Sequence, residues 1–151
     1  MKKILMITGI VFLGLFITAS AYIGYIYVSS SGLDKSSKEY VDESIIQITT
    51  NWSKEALISR FSRELINATD LDSLDNFFNK FKSLGELVKY KGSSGEAKIR
   101  FSNILSKTIT AEYVAFAVYK NGNTRFDIVL IHEDGQWYLQ RFHIESPNLF
   151  K

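Results

Sequence analysis

The stretch that decides the fold is ITAEYVAFAVYKNGNTRFDIVLIHEDGQWYLQRFHIE, residues 109–145. Its apolar side chains recur at every second position, the period of a β-strand. Asn121-Gly122-Asn123 and Asp134-Gly135 interrupt the pattern with residues that favour the positive φ of tight hairpin turns. Ile109–Lys120, Thr124–Glu133 and Gln136–Glu145 therefore read as three consecutive antiparallel strands. In the last strand, Trp137 and Leu139 share one parity while Phe142 and Ile144 have the other. A bulge near Gln140 or Arg141 would return all four to one face. Both parities are apolar at the centre of the meander. A sheet with one wet face alternates apolar with polar, so the second face here calls for a cover. Val114, Phe116, Val129 and Ile131 are the candidates for that interface, although parity alone leaves open which face is outer.

Upstream, the period changes from two to that of a helix. Ala97, Ile99 and Phe101 alternate with Lys98, Arg100 and Ser102 as a half-buried strand. Leu87–Lys91 reads as a further strand, with Gly92-Ser93-Ser94-Gly95 as a turn between them. Before these, Leu74, Phe77, Phe78, Phe81 and Leu84 form a helical stripe. Asp70, Asp72 and Asp75 crowd its start, and Gly85 sits where a helix C′ glycine belongs. Ser53 is placed to cap a short helix and Ser62 a further turn through Leu65 and Ile66. Val41, Ile45, Ile48 and Trp52 mark one face of a helix over about Lys38–Asn51, with Ser36 or Ser37 as its N-cap. The expected class is α+β: about three helices packed on a curved antiparallel sheet of about four strands, preceded by a transmembrane helix.

That preceding segment is ILMITGIVFLGLFITASAYIGYIYV, residues 4–28, without a charge. As a helix it would be about 37 Å long at about 1.5 Å per residue, enough to cross a hydrocarbon core of about 30 Å. Lys2 and Lys3 precede it. Ala19-Ser20-Ala21 resembles a signal-peptide cleavage site, but the apolar run continues beyond it into Tyr22, Tyr25 and Tyr27, residues suited to a membrane interface. We read residues 1–28 as an uncleaved signal anchor, 29–35 as a linker and 36–147 as one α+β domain. The expected location is a bacterial inner membrane, crossed once, with the C-terminal domain in the periplasm or outside the cell.

Charge and composition exclude several functions. Of 18 basic and 16 acidic side chains, Lys2 and Lys3 account for the whole net charge of +2. The remainder of the chain is neutral, so no basic field draws nucleic acid. The absence of cysteine rules out disulfides, thiolate metal sites and a cysteine nucleophile. With only His132 and His143, no histidine-rich metal site is expected, and no cofactor motif is present.

The chain resembles the nuclear transport factor two-like superfamily, also called the cystatin-like cone fold. The resemblance rests on the early helix ending in Asn51-Trp52 and the Phe-rich helix ending in Leu84-Gly85. It continues through Val114-Ala115-Phe116-Ala117, Asn121-Gly122, Ile128-Val129-Leu130 and Asp134-Gly135-Gln136-Trp137-Tyr138-Leu139. It spans about residues 36–146 and is similar to small exported or membrane-anchored bacterial members without assigned activity. It implies a cone of helices on a curved sheet. Enzymes of that superfamily place an acid, a base or a tyrosine inside the cone, which makes Tyr113, Asp127, His132 and His143 the positions to consider. Strand parity brings no two of them together, and no aspartate–tyrosine pair falls on one inner wall. The expectation is a domain that is not an enzyme and has no catalytic residues, cofactor or metal. It would bind protein, as a homodimer or with an envelope partner. The alternative is a small-ligand binder or enzyme using the cavity of the cone.

Overall fold

The structure, a computed structural model, describes Ile17, Thr18, Ser20 and residues 31–101 and 107–147. The expected span at 4–28 lies outside the described residues except for Ile17, Thr18 and Ser20, which are helical. Among the described residues no helix is long and apolar enough to cross a membrane. The chain divides into two compact units, Met1–Leu33 and Asp34–Lys151.

Helices come first and strands second. Helix α1 is described over 31–50. It is followed by α2 (Lys54–Ile58), α3 (Arg63–Ala68) and α4 (Ser73–Lys82). The sheet comprises β1 (Leu87–Phe101), β2 (Lys107–Tyr119), β3 (Gly122–Glu133) and β4 (Gln136–Glu145), antiparallel in the order β1-β2-β3-β4. The α+β class and the four-stranded meander agree with the sequence. The turn expected at Ser62 is a helix of its own, which makes four helices among the described residues. The hydroxyls of Ser53 and Ser62 accept from the amides of Ala56 and Leu65, the N-cap bonds anticipated.

Two local expectations are corrected. Residues 31–35, the described part of the expected linker, are helical, so neither Ser36 nor Ser37 is an N-cap. Ser37 is buried instead, with its hydroxyl against the Tyr113 phenol at 2.9 Å. Packing of this face outweighs the poor helix propensity of the serines and Gly32. The second correction concerns Gly92-Ser93-Ser94-Gly95, which makes no hairpin. β1 runs through it and pairs with β2 along its length, with register shifts between Leu87 and Lys89 and between Tyr90 and Ser93. Gly92, at φ +88°, supplies the conformation that the second irregularity needs.

The inner face of the sheet carries Ala111, Tyr113, Ala115, Ala117 and Tyr119 from β2 and Thr124, Phe126, Ile128 and Leu130 from β3, all buried. The anticipated bulge is in β4. Val129 pairs with Arg141 and Leu130 with Leu139, leaving Gln140 as the extra residue. It puts Trp137, Leu139 and Ile144 into the core. Val41, Ile45 and Ile48 of α1 are fully buried against this face. The free edge of β4 is capped by the α2–α3 junction: the Leu139 amide donates to the Arg60 carbonyl at 2.6 Å, and the Ser62 amide donates to the Leu139 carbonyl at 2.8 Å.

Gly95 faces Tyr113 across the β1–β2 ladder, and a Cβ there would lie 2.0 Å from the Glu112 carbonyl oxygen. Only glycine allows so close a backbone approach. Gly95→Ala should therefore destabilise residues 34–151 by about 3 kcal/mol in urea unfolding, the upper range for overpacking. Gly95→Ala unfolding at the same urea concentration as the parent would refute this β1–β2 packing.

Candidate functional site

The bulge at Gly92 has a chemical consequence. Tyr90 and Ser93 have opposite parity, so a regular strand would send them to opposite faces. The irregularity turns both toward α1, where Asp42 receives them. The Tyr90 phenol donates to Asp42 Oδ1 at 2.6 Å and the Ser93 hydroxyl donates to the same oxygen at 2.5 Å. Lys38, one helical turn before Asp42, donates to Oδ2 at 2.7 Å. One turn further back, the Asp34 carboxylate accepts from the Ala97 amide at 2.7 Å. The Tyr113 phenol reaches the Asp34 carbonyl at 3.1 Å.

Partial burial of Asp42 opposes its ionisation, but the bonds from Lys38, Ser93 and Tyr90 outweigh this and hold the carboxyl below its usual range. Burial, reinforced by the adjacent carboxylate, pushes the Tyr90 phenol well above its ordinary value. The cluster thus holds an anion beside a firmly neutral hydrogen-bond donor. This aspartate–tyrosine pair joins a helix to a bulged strand and involves none of the four positions weighed from the sequence. Its signal was the glycine in Gly92-Ser93-Ser94-Gly95.

The outer face of the sheet holds all four interface candidates. Phe116 is 47% exposed, and Val114, Val129 and Ile131 are half-buried. They do not form a continuous apolar sheet. Val114 lies opposite Asp127, Phe116 opposite Arg125, and Val129 opposite both Glu112 and Arg141. Val114 and Val129 meet on the diagonal. A groove of about 990 Å³ runs over this checkerboard. Arg125 pairs with Asp127 at 2.7 Å, and Lys98 lies 3.9 Å from Glu112.

The four candidate catalytic positions separate. Tyr113 is on the inner face, against α1. His132 is half-buried at the β3–β4 turn, its ring edge-on to Trp137 at 4.7 Å. Asp127 and His143 are on the outer face and, contrary to the sequence reading, are directly paired across β3 and β4. Together with Glu145 they bring ligand-type atoms within 4.8 Å of one another. Arg125 already engages Asp127 Oδ1, so these groups act as a surface lattice of opposite charges.

The far end of α1 is aromatic. Trp52 lies just beyond the helix at φ +48°, an unusual conformation for a bulky residue. Its ring stacks on Phe81 with centroids 5.3 Å apart and lies 5.5 Å from Tyr119. Phe78 completes the cluster at 6.4 Å. Trp137 is buried outside this cluster and donates its indole N–H to Ser36 Oγ at 3.1 Å. Among the described residues, the buried Trp52 Nε1 and Thr124 Oγ1 have no hydrogen-bond partner. Each such group opposes folding by about 1–3 kcal/mol. Burial pushes the Tyr119 phenol up to about 12, opposed by its hydrogen bond with the Thr49 hydroxyl.

No family model matches the chain, and no curated protein does. A crystal structure described as "Putative Scytalone Dehydratase", from Novosphingobium aromaticivorans DSM 12444, matches at 16% identity with a TM-score of 0.39. The match covers 74% of this chain and 82% of that one. The match lends no support to the expectation that the chain is not an enzyme, since that structure bears the name of a dehydratase. A likeness of this extent gives this chain neither a reaction nor a substrate.

The Asp42 cluster makes a pH prediction. Its carboxyl is held low in the folded state, so its stabilisation is present above the unfolded pKa and is lost as pH falls through the folded one. Asp42→Asn should destabilise residues 34–151 by about 2 kcal/mol at pH 7, the scale of hydrogen bonds to a charged group. The gap between parent and variant should narrow as pH falls from about 5 to about 2. Urea unfolding across that range checks it, and a gap independent of pH would remove the carboxylate from the account.

Proposed function

We propose that this chain is a binding domain tethered to a bacterial inner membrane by residues 4–28. Its outer sheet face docks a second copy of the same chain. The observation that carries the reading is the outer face itself. The described helices meet the sheet through its inner face, while Val114, Phe116, Val129 and Ile131 remain on the other. Burying such side chains returns about 25 cal/mol per Å² of apolar area.

The charges argue for a second copy as the occupant. Lys98, Arg125 and Arg141 are interspersed with Glu112, Asp127 and Glu145 on one neutral face. Under a two-fold operator the same patch meets itself, and a patch carrying both signs can set each charge against its opposite. A face of one sign would repel its own copy. The tether supports the pairing, because two copies confined to one membrane meet at raised effective concentration. Lys2 and Lys3 ahead of the apolar run favour placing the folded domain on the far side of the membrane.

Sedimentation velocity of residues 34–151 over a concentration series tests the docking. The parent should shift toward dimer as concentration rises. Phe116→Asp or Val129→Asp should hold it monomeric, because each replaces an apolar contact by a charge that must lose its water on docking. A parent that stays monomeric at the highest concentration would exclude the second copy as occupant.

A further inference from the structure

β3 and β4 bring three metal-ligating side chains together on the outer face of the sheet. Asp127 lies directly opposite His143, and Glu145 is two residues further along β4, opposite Arg125. Residues two apart on a strand share a face, so the imidazole has one carboxylate beside it on its own strand and another across the ladder. Each of the three offers a ligand atom, and these atoms lie within 4.8 Å of one another. His143 Nε2 and Glu145 Oε1 are 3.3 Å apart. Two donors on a tetrahedral zinc ion, bonded at about 2.0–2.1 Å, stand about 3.3–3.4 Å from each other. That pair therefore already has the spacing of two ligands. Both Arg125 bonds to Asp127 go to Oδ1, from Nε at 3.1 Å and from Nη2 at 2.7 Å, which leaves Oδ2 for an ion. Ligating carboxylates are commonly held from behind by such bonds. The side chains of His143 and Glu145 are 57% and 56% exposed, so they have room to close on Asp127 and an ion reaches them from solvent.

We infer that Asp127, His143 and Glu145 form a binding site for a divalent transition metal ion, with zinc the best fit. The class follows from the donors. An imidazole nitrogen favours a first-row transition metal over magnesium or calcium, which take oxygen ligands. Two carboxylates against the one guanidinium of Arg125 leave a net negative charge, which attracts a cation. The ligands rise from paired strands, and strands hold a site more precisely than loops do. One histidine suffices in such a set, so the scarcity of histidine in the sequence is no obstacle. Three protein ligands leave a tetrahedral ion one open position, on the solvent side of the sheet. The set is complete within one copy, so the site stands or falls independently of docking between copies.

The test uses the full chain without an affinity tag, labelled with ¹⁵N, in phosphatidylcholine bicelles, with Zn²⁺ as the probe. The chain has two histidines, so two imidazoles report. His132→Gln assigns them, and His132, edge-on to Trp137, is the internal control. Zn²⁺ should move the His143 ring nitrogens along a curve that saturates at one ion per chain, and leave those of His132 in place. Mg²⁺ at the same concentration should move neither. Asp127→Asn and Glu145→Gln should each weaken Zn²⁺ binding by at least about tenfold, the lower end of what even an outer partner of a metal contributes. Neither side chain is buried, and melting temperatures equal to the parent's show that the fold is intact. Three results would each overturn the inference: a His143 signal unmoved at millimolar Zn²⁺, His132 responding as strongly as His143, or Zn²⁺ affinity unchanged by Asp127→Asn and Glu145→Gln.

Discussion

The rest of the structure depends on how closely α1 approaches the sheet. Ala111, Ala115 and Ala117 place three small side chains on the inner face of β2, the first two flanking Tyr113, and all three are 0–1% exposed. Larger residues there would hold the helix away. With alanines, Val41, Ile45 and Ile48 sink completely, and α1 fills the concavity that the curved meander would otherwise leave open. One face of the sheet thus becomes core. The other is left to the solvent, or to whatever docks on it.

The same helix distributes its polar groups to its ends. Near its start, Asp34, Ser37, Lys38 and Asp42 bond to β1 and β2, a clamp that depends on the bulge at Gly92. Near its end, Trp52 meets Tyr119, Phe78 and Phe81 in an aromatic cluster. Between them lies the apolar middle. A fully paired polar clamp fixes the start of the helix, and ring packing fixes its end.

Local pattern carried much of this architecture. The parity switch from Trp137 and Leu139 to Phe142 and Ile144 was enough to place a bulge near Gln140 or Arg141, because a slip of one residue exchanges the faces of a strand. Asn121-Gly122 and Asp134-Gly135 marked both hairpins, and Gly85 marked the end of α4. The sites were harder to read because they depend on pairing across distance. Asp42 lies 48 residues from Tyr90, and the two meet only because Gly92 re-aims the strand. Asp127 meets His143 through the β3–β4 register, which the bulge itself shifts. Helix α1 begins before the serines that looked like its cap, because tertiary contacts on Ser37 and Asp34 outweigh local preference. The alternation of Val114 and Val129 with charges on adjoining strands was likewise hidden until the register was known.

The central claim is that adjacent residues of β2 lead opposite lives, one locked under α1 and the next on a docking face. The chain has no cysteine, so a single one can be introduced as a reporter. Maleimide labelling rates of Ala115→Cys and Val114→Cys, measured from dilute to concentrated protein, address the claim directly. The account predicts that Ala115→Cys stays protected throughout. Val114→Cys should react readily when dilute and slow as copies pair. Equal labelling of the two positions, or a Val114→Cys rate independent of concentration, would contradict it.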